Sequence, residues 1–449
     1  MPQGPAPGTG YKRYVLAMMT SVYMLNLVDR GLMSLLLQPI KEDLSLSDTQ
    51  LGFLTGIAFA LFYATLGLPI ARWADRGNRV TVTSLAIGLW GLTVMACVLV
   101  TNFVQLVFAR VAAAVGEAGC KPPTYSLVGD YFSGSSERTR AMAIYLTGNS
   151  LSTLVAYTVG GWLNELYGWR MTFFIMGILG LLLAIAVKLT VIEPRTQTPV
   201  VRTGETQAPS TKVVIATLWR QPSFRHLSLA LILLYTVGLG LGPWQAAFMI
   251  RTYHMSTGEL GLWLGLICSA SGVVGALLGG YLASRYFQGN ERGQMAMSAL
   301  AVALILPCFV AFLMLPEKNQ ALLALIPLMM VFTVFMGPTY ALMQRLVADN
   351  MRATMMALVM LLANLVGMGL GPQIVGILSD LLRPTFGGDA LRYAMLIVAS
   401  AALWSAYHFL RVGRTVANDL AAMGHGASRE PVAHGGRRGS MIATPAASK

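Results

Sequence analysis

Apolar residues run along this chain in long unbroken stretches, separated by short polar or glycine-containing turns. A helix needs about 20 apolar residues to cross the hydrocarbon core of a bilayer, and about twelve stretches meet that requirement. Their spans are 14–39, 50–71, 80–101, 103–130, 140–165, 170–192, 225–251, 258–285, 293–315, 320–345, 353–382 and 391–412. Lipid offers backbone N–H and C=O groups no partner, so each run must satisfy its own hydrogen bonds as a helix. A membrane barrel would instead alternate apolar and polar positions. Ser47 followed by Gln50 has capping-box spacing and marks the start of the second span.

Two segments break the pattern. Residues 194–222 are polar and proline-containing and read as a linker, within which Lys212 to Trp219 has the makings of a short interfacial helix. Residues 415–449 are rich in Gly, Ala, Ser and Arg and read as a disordered tail. The linker divides the spans six and six, giving bundles over 1–193 and 223–414. An internal repeat supports the division. Span 4 ends with Pro123-Thr124-Tyr125 and Leu127-Val128-Gly129-Asp130, and span 10 with Pro338-Thr339-Tyr340 and Leu346-Val347-Ala348-Asp349. Gly161-Trp162-Leu163-Asn164-Glu165 in span 5 parallels Gly376-Ile377-Leu378-Ser379-Asp380 in span 11. Six-helix halves repeated in parallel are a transporter architecture. The expected fold is therefore an all-α integral membrane protein, with twelve transmembrane helices in two six-helix bundles.

Composition agrees. Of 449 residues, 55% are hydrophobic and only 11% charged, against roughly 25% charged in a soluble chain. A cytosolic globule and a secreted disulfide scaffold are excluded. The net charge of +13 is spread singly or in twos and threes between apolar runs, which argues against a nucleic-acid partner. With the N-terminus inside, the inner segments collect Lys12, Arg13, Arg72, Arg76, Arg79, Arg138, Arg140, Arg285, Arg292, Arg345 and Arg352. The outer loops hold only Lys41, Arg170, Arg251, Lys318, Arg383 and Arg392. That imbalance places both termini in the cytoplasm, in a plasma or bacterial inner membrane. Cys97, Cys120, Cys268 and Cys308 lie in apolar runs without metal or redox spacing. No lysine follows a glycine, so there is no Walker A site, and there is no His-Glu-x-x-His or Gly-x-Ser-x-Gly. The chain is read as a monomer that is not an enzyme and needs no metal or cofactor.

Ionisable residues inside spans are the sharpest chemical signal: Asp29 and Arg30 in span 1, and Arg110, Glu117 and Lys121 in span 4. Each would cost about 2.5–3.5 kcal/mol facing lipid, so each must pair or line a wet cavity. Asp29 and Arg30 point about 100° apart on their helix and need partners elsewhere. Arg30 and Arg110 both lie roughly 10–14 Å below the outer surface, with Glu117 about 10 Å deeper. Asp29, Arg30, Arg110 and Glu117 are therefore expected to cluster, with Lys121 one turn below. Further cavity candidates are Asn26, Tyr125, Asn149, Trp244, Gln245, Tyr340 and Asn364. Three cations against two carboxylates leave the first bundle suited to an anionic head. The second bundle, uncharged at its centre, could take an apolar tail.

The loop Ala71-Arg72-Trp73-Ala74-Asp75-Arg76-Gly77-Asn78-Arg79 resembles the major facilitator signature between the second and third helices, matching it at Asp75, Arg76 and Arg79. The resemblance implies that Asp75 docks on the second bundle when the cytoplasmic side is closed. A suitable partner is the start of span 11 near Arg352, where helix dipole and basic side chain both favour an anion. Asn26-Leu27-Val28-Asp29-Arg30, and Arg110 followed by Gly116-Glu117-Ala118-Gly119, resemble the corresponding motifs of spinster-type transporters. That resemblance implies alternating-access transport of lysolipids or sphingoid lipids, and the placement of both carboxylates beside arginines fits proton coupling. An Asp-Arg pair in the first helix also occurs in major facilitator symporters of organic anions, so sugar acids are the alternative substrate class.

Overall fold

The computed structural model describes residues 8–194, 211–348 and 351–427. The first bundle comprises α1 (Thr9–Leu35), α2 (Leu37–Leu44), α3 (Asp48–Thr55), α4 (Ile57–Arg76), α5 (Arg79–Ala96), α6 (Phe103–Tyr131) and α7 (Ser135–Thr190). The short helix α8 (Thr211–Arg220) occupies the place foreseen for an interfacial helix. The second bundle comprises α9 (Pro222–Tyr253), α10 (Thr257–Tyr286), α11 (Glu291–Met314), α12 (Lys318–Val334), α13 (Met336–Arg345), α14 (Arg352–Asn364), α15 (Gly371–Phe386), α16 (Ala390–Ala399) and α17 (Ala401–Ala427). A π-helical turn, Leu365–Leu370, joins α14 to α15.

Nine helical segments among the described residues are long and apolar enough to span a bilayer. Two of these, Ser135–Thr190 and Thr354–Ala422, are 56 and 69 residues long and cross twice. The first turns at Gly168, whose φ of 79° is one that L side chains rarely adopt. The second turns at Gly387, with φ 55°. With α1, which carries Asp29 and Arg30, the crossings come to the twelve expected. The second crossing begins as foreseen, with the Ser47 hydroxyl accepting the Gln50 N–H and the Gln50 side chain accepting the Ser47 N–H. One expectation needs correcting: α17 continues to Ala427, into the stretch read as a disordered tail. Tertiary anchoring holds it there. Val416 is buried, Thr415 meets Ser223 at 2.7 Å, and Asp419 accepts the Ser223 N–H at 2.8 Å. Residues 428–449 lie outside the described residues.

Within the halves, α1 and α5 pack against α7, and α9 and α11 against α17. The halves meet mainly through α7 with α10 and α3 with α15. Gly161 on α7 abuts the Thr257 carbonyl, and Gly376 on α15 abuts the Asp48 carbonyl, so closely that neither position has room for a Cβ. Both approaches lie at the end of the molecule bearing loops 45–47 and 254–256, opposite the chain termini.

Candidate functional site

Neighbouring side chains on α1 diverge, and residues seven apart on α6 share a face. Asp29 and Arg30 therefore each meet one of Arg110 and Glu117. Arg110 Nη1 donates to Asp29 Oδ2 at 2.5 Å, and Arg30 pairs with Glu117. Asp29, Arg110 and Glu117 are almost fully buried, whereas the Arg30 side chain is 31% exposed. Asn26 donates to the Glu117 backbone carbonyl at 3.5 Å. The four-residue cluster expected from depth is present, as two pairs. Each arginine keeps spare donors: Nε of Arg30 and Nε of Arg110 are buried without an acceptor among the described residues. Lys121 stands apart from the pairs, exposed, with Nζ 5.7 Å from the centroid of the Tyr23 ring.

Aromatic rings of α4 pack on the cations. The Arg30 guanidinium lies 5.0 Å from the centroid of Phe59 and 4.9 Å from that of Tyr63. The Arg110 guanidinium lies 5.0 Å from the same Phe59 centroid. Neither aromatic was singled out in the sequence, where both sit in an ordinary apolar run.

The charged pairs border a cavity of about 460 Å³ between the halves. The first bundle lines it with Arg30, Arg110, Asn149 and Ser152, and the second with Leu239, Pro243, Gln245, Met329, Phe332 and Met336. The charged groups on it come from the first half alone. Of the cavity candidates, Asn149 and Gln245 line it. The others do not. Trp244 is fully buried, with its indole N–H donating to the Pro372 carbonyl at 3.2 Å; it points into α15 while its neighbour Gln245 points into the cavity. Asn364 bonds back to the Met360 carbonyl on its own helix at 2.7 Å. Tyr340 meets the Tyr235 hydroxyl at 2.7 Å. Tyr125 packs edge-on to Tyr145.

Of the four residues expected to gate the end bearing the termini, Arg76, Arg79 and Arg352 have described side chains. Arg79 is fully buried and holds Glu193 at 2.5 Å, Asp130 at 2.6 Å and Ser126 at 2.8 Å. It ties α5 to the end of α6 and to the segment leaving α7, all inside the first bundle. Arg76 is exposed. Arg352 Nε donates to the Gln344 carbonyl at 2.8 Å, within the second bundle. The Asp75 side chain lies outside the described residues.

At the opposite end a bridge between the bundles is fully formed. Asp48 is buried and receives both Nη atoms of Arg251, at 2.8 and 2.9 Å, and the Ser379 hydroxyl at 2.6 Å. Lys41 also pairs with it. Burial and the nearby Arg251 push Lys41 below the usual lysine range. Asp380 accepts the backbone N–H groups of Asp48 at 3.1 Å and Thr49 at 2.7 Å. Glu165 accepts the Gly258 N–H at 2.9 Å and the Ser256 hydroxyl at 3.1 Å. Glu165 and Asp380 occupy matching places in the sequence repeat, and each caps the first turn of a helix from the other half. Sequence alignment of the halves marked these two residues without showing what they touch.

Residues 19–372 match the family model described as Major Facilitator Superfamily. The chain belongs to the Major Facilitator Superfamily. Among members of the superfamily, it is 34% identical to an MFS-type efflux pump of Mycolicibacterium smegmatis, across 84% of this chain and 86% of the relative. It is 25% identical to a probable L-galactonate transporter of Escherichia coli, across 88% of each. A crystal structure of a bacterial homolog of the human lysosomal transporter Spinster, inward-facing and unoccupied, superposes with a TM-score of 0.82 at 28% identity, covering 92% of this chain and 99% of that one. The spinster-like character expected from the Asp29-Arg30 and Gly116-Glu117-Ala118 motifs is borne out. As a major facilitator, this is an integral multi-pass membrane protein that transports a small-molecule substrate.

Proposed function

We propose that this major facilitator is a proton-coupled secondary transporter of an amphiphilic anion, a lysophospholipid or sphingoid phosphate, working by alternating access. One observation carries the reading: Arg30 is ion-paired to a fully buried carboxylate, Glu117, yet opens a third of its side chain to the cavity. Protonating Glu117 releases a cation that already faces the substrate, so proton and anionic head bind through the same arginine. The apolar wall formed by Pro243, Met329, Phe332 and Met336 receives the tail. The spread of basic residues supports a plasma-membrane or bacterial inner-membrane location with both termini cytoplasmic. The Asp48–Arg251–Asp380 cluster is then the outer gate.

Small organic anions such as sugar acids are the second reading, favoured by the likeness to the probable L-galactonate transporter. Counterflow in proteoliposomes, with lysophosphatidylglycerol and galactonate run in parallel, separates the two. Exchange of the lysolipid alone supports the first reading, and exchange of galactonate alone the second.

A further inference from the structure

Phe59 is 1% exposed and sits just after the break between α3 and α4 at Gly56. Gly56 packs directly on the Gly369 carbonyl of the π-helical turn, so the start of α4 is fixed against the second bundle. Met368 on that turn packs in one cluster with Phe59, and its sulfur accepts from Arg30 Nη1 at 3.3 Å. Both arginines of the site lie over this one ring, each 5.0 Å from its centroid. Two like charges would ordinarily move apart. Here each is also ion-paired to a carboxylate, and each keeps a buried Nε with no acceptor among the described residues.

A ring face is electron-rich and attracts both cations without using any of their N–H donors. Arg30 and Arg110 also border the same cavity, so an oxyanion entering it meets donors of both guanidinium groups.

We propose that Phe59 is a positioning residue, whose ring holds Arg30 and Arg110 as a paired clamp on a single anionic group of the substrate. This rests on the transport reading above and deepens it: the recognised group is a compact oxyanion taken by two arginines, with the ring setting their spacing. The role belongs to the π face rather than to the volume of the side chain. Phe59→Leu keeps most of the volume and loses the face. A 3,4,5-trifluorophenylalanine at position 59 keeps shape and packing and weakens the face.

The test measures uptake of lysophosphatidylglycerol and of galactonate into proteoliposomes, with the guanidinium resonances of Arg30 and Arg110 followed by NMR in detergent. With whichever probe the parent transports, KM should rise about tenfold in Phe59→Leu, equivalent to about 1.4 kcal/mol. The trifluorinated ring should raise it several-fold, with kcat within twofold in both. Unchanged KM in both variants overturns the proposal. A rise in Phe59→Leu with none on fluorination also overturns it, because the ring would then act by packing alone. If the parent moves neither probe, the transport reading fails, and the spectra decide the rest. The Arg110 guanidinium should show a ring-current shift that vanishes in Phe59→Leu, and the Arg30 shift should fall without vanishing because Tyr63 also faces it; an Arg110 shift that persists there refutes the shared clamp.

Discussion

Asp380 Oδ2 accepts the backbone N–H of Thr49 at 2.7 Å across the boundary between the two bundles. Glu165, at the matching place in the repeat, makes the corresponding contact to Gly258 at 2.9 Å. An acidic side chain at a helix N-terminus is worth about 0.3–2 kcal/mol, so two such caps bias the loop end toward closure by a similar amount each. Asp380→Asn and Glu165→Gln should each speed labelling of a cysteine placed at Ser34, a cavity-lining position, by an impermeant maleimide added from the loop side. The double variant should be faster than either single. Labelling at the parental rate in all three would show that the caps do not hold the gate.

The close approach of α7 to α10 predicts a steric counterpart. Gly161→Ala places a methyl group against the Thr257 carbonyl, where there is no space for it, so α7 and α10 must separate at the loop end. Spin-label distances across that end should lengthen, and the cavity should open outward. Gly67→Ala meets nothing within 4 Å and should leave the distances as they are. Equal behaviour of the two variants would contradict this role for the seam.

The Asp29–Arg110 pair separates stability from function. Removing one member of a buried pair costs about 3–5 kcal/mol, because a lone charge is left behind. Arg110→Met should therefore lower the thermal midpoint strongly. Asp29→Leu combined with Arg110→Met should recover much of that loss, since apolar replacement of both partners is often neutral. The double variant should nonetheless fail to transport, for want of the second arginine of the clamp. Transport by the double variant at the parental rate would make the pair a purely structural strut.

The sequence made some of this plain and left other parts hidden, for identifiable reasons. Span number, the two bundles and the first-bundle cluster were legible, because charges inside apolar runs must find partners and helix rise fixes their depth. Trp244 and Asn364 were misplaced, because a polar or aromatic residue in a span can satisfy itself against a neighbouring carbonyl as readily as face a cavity; Trp244 does so with Pro372 and Asn364 with Met360. The partners of Arg79 were hidden, because Glu193 lies 114 residues on and nothing local announces that pairing. Asp48 and Arg251 are 203 residues apart, and each reads as an ordinary charge at a helix end. Phe59 was invisible in a run of apolar residues, since its significance lies in what sits over its face.

In the proposed mechanism Glu117 carries the coupling proton and hands Arg30 to the substrate. The decisive measurement is uptake driven by an imposed pH gradient, comparing Glu117→Gln with the parent in proteoliposomes. Glutamine mimics the protonated carboxyl and cannot titrate. The account predicts that the variant still exchanges substrate in counterflow while accumulation no longer responds to the gradient. Accumulation by Glu117→Gln that follows the pH gradient as the parent does would contradict it.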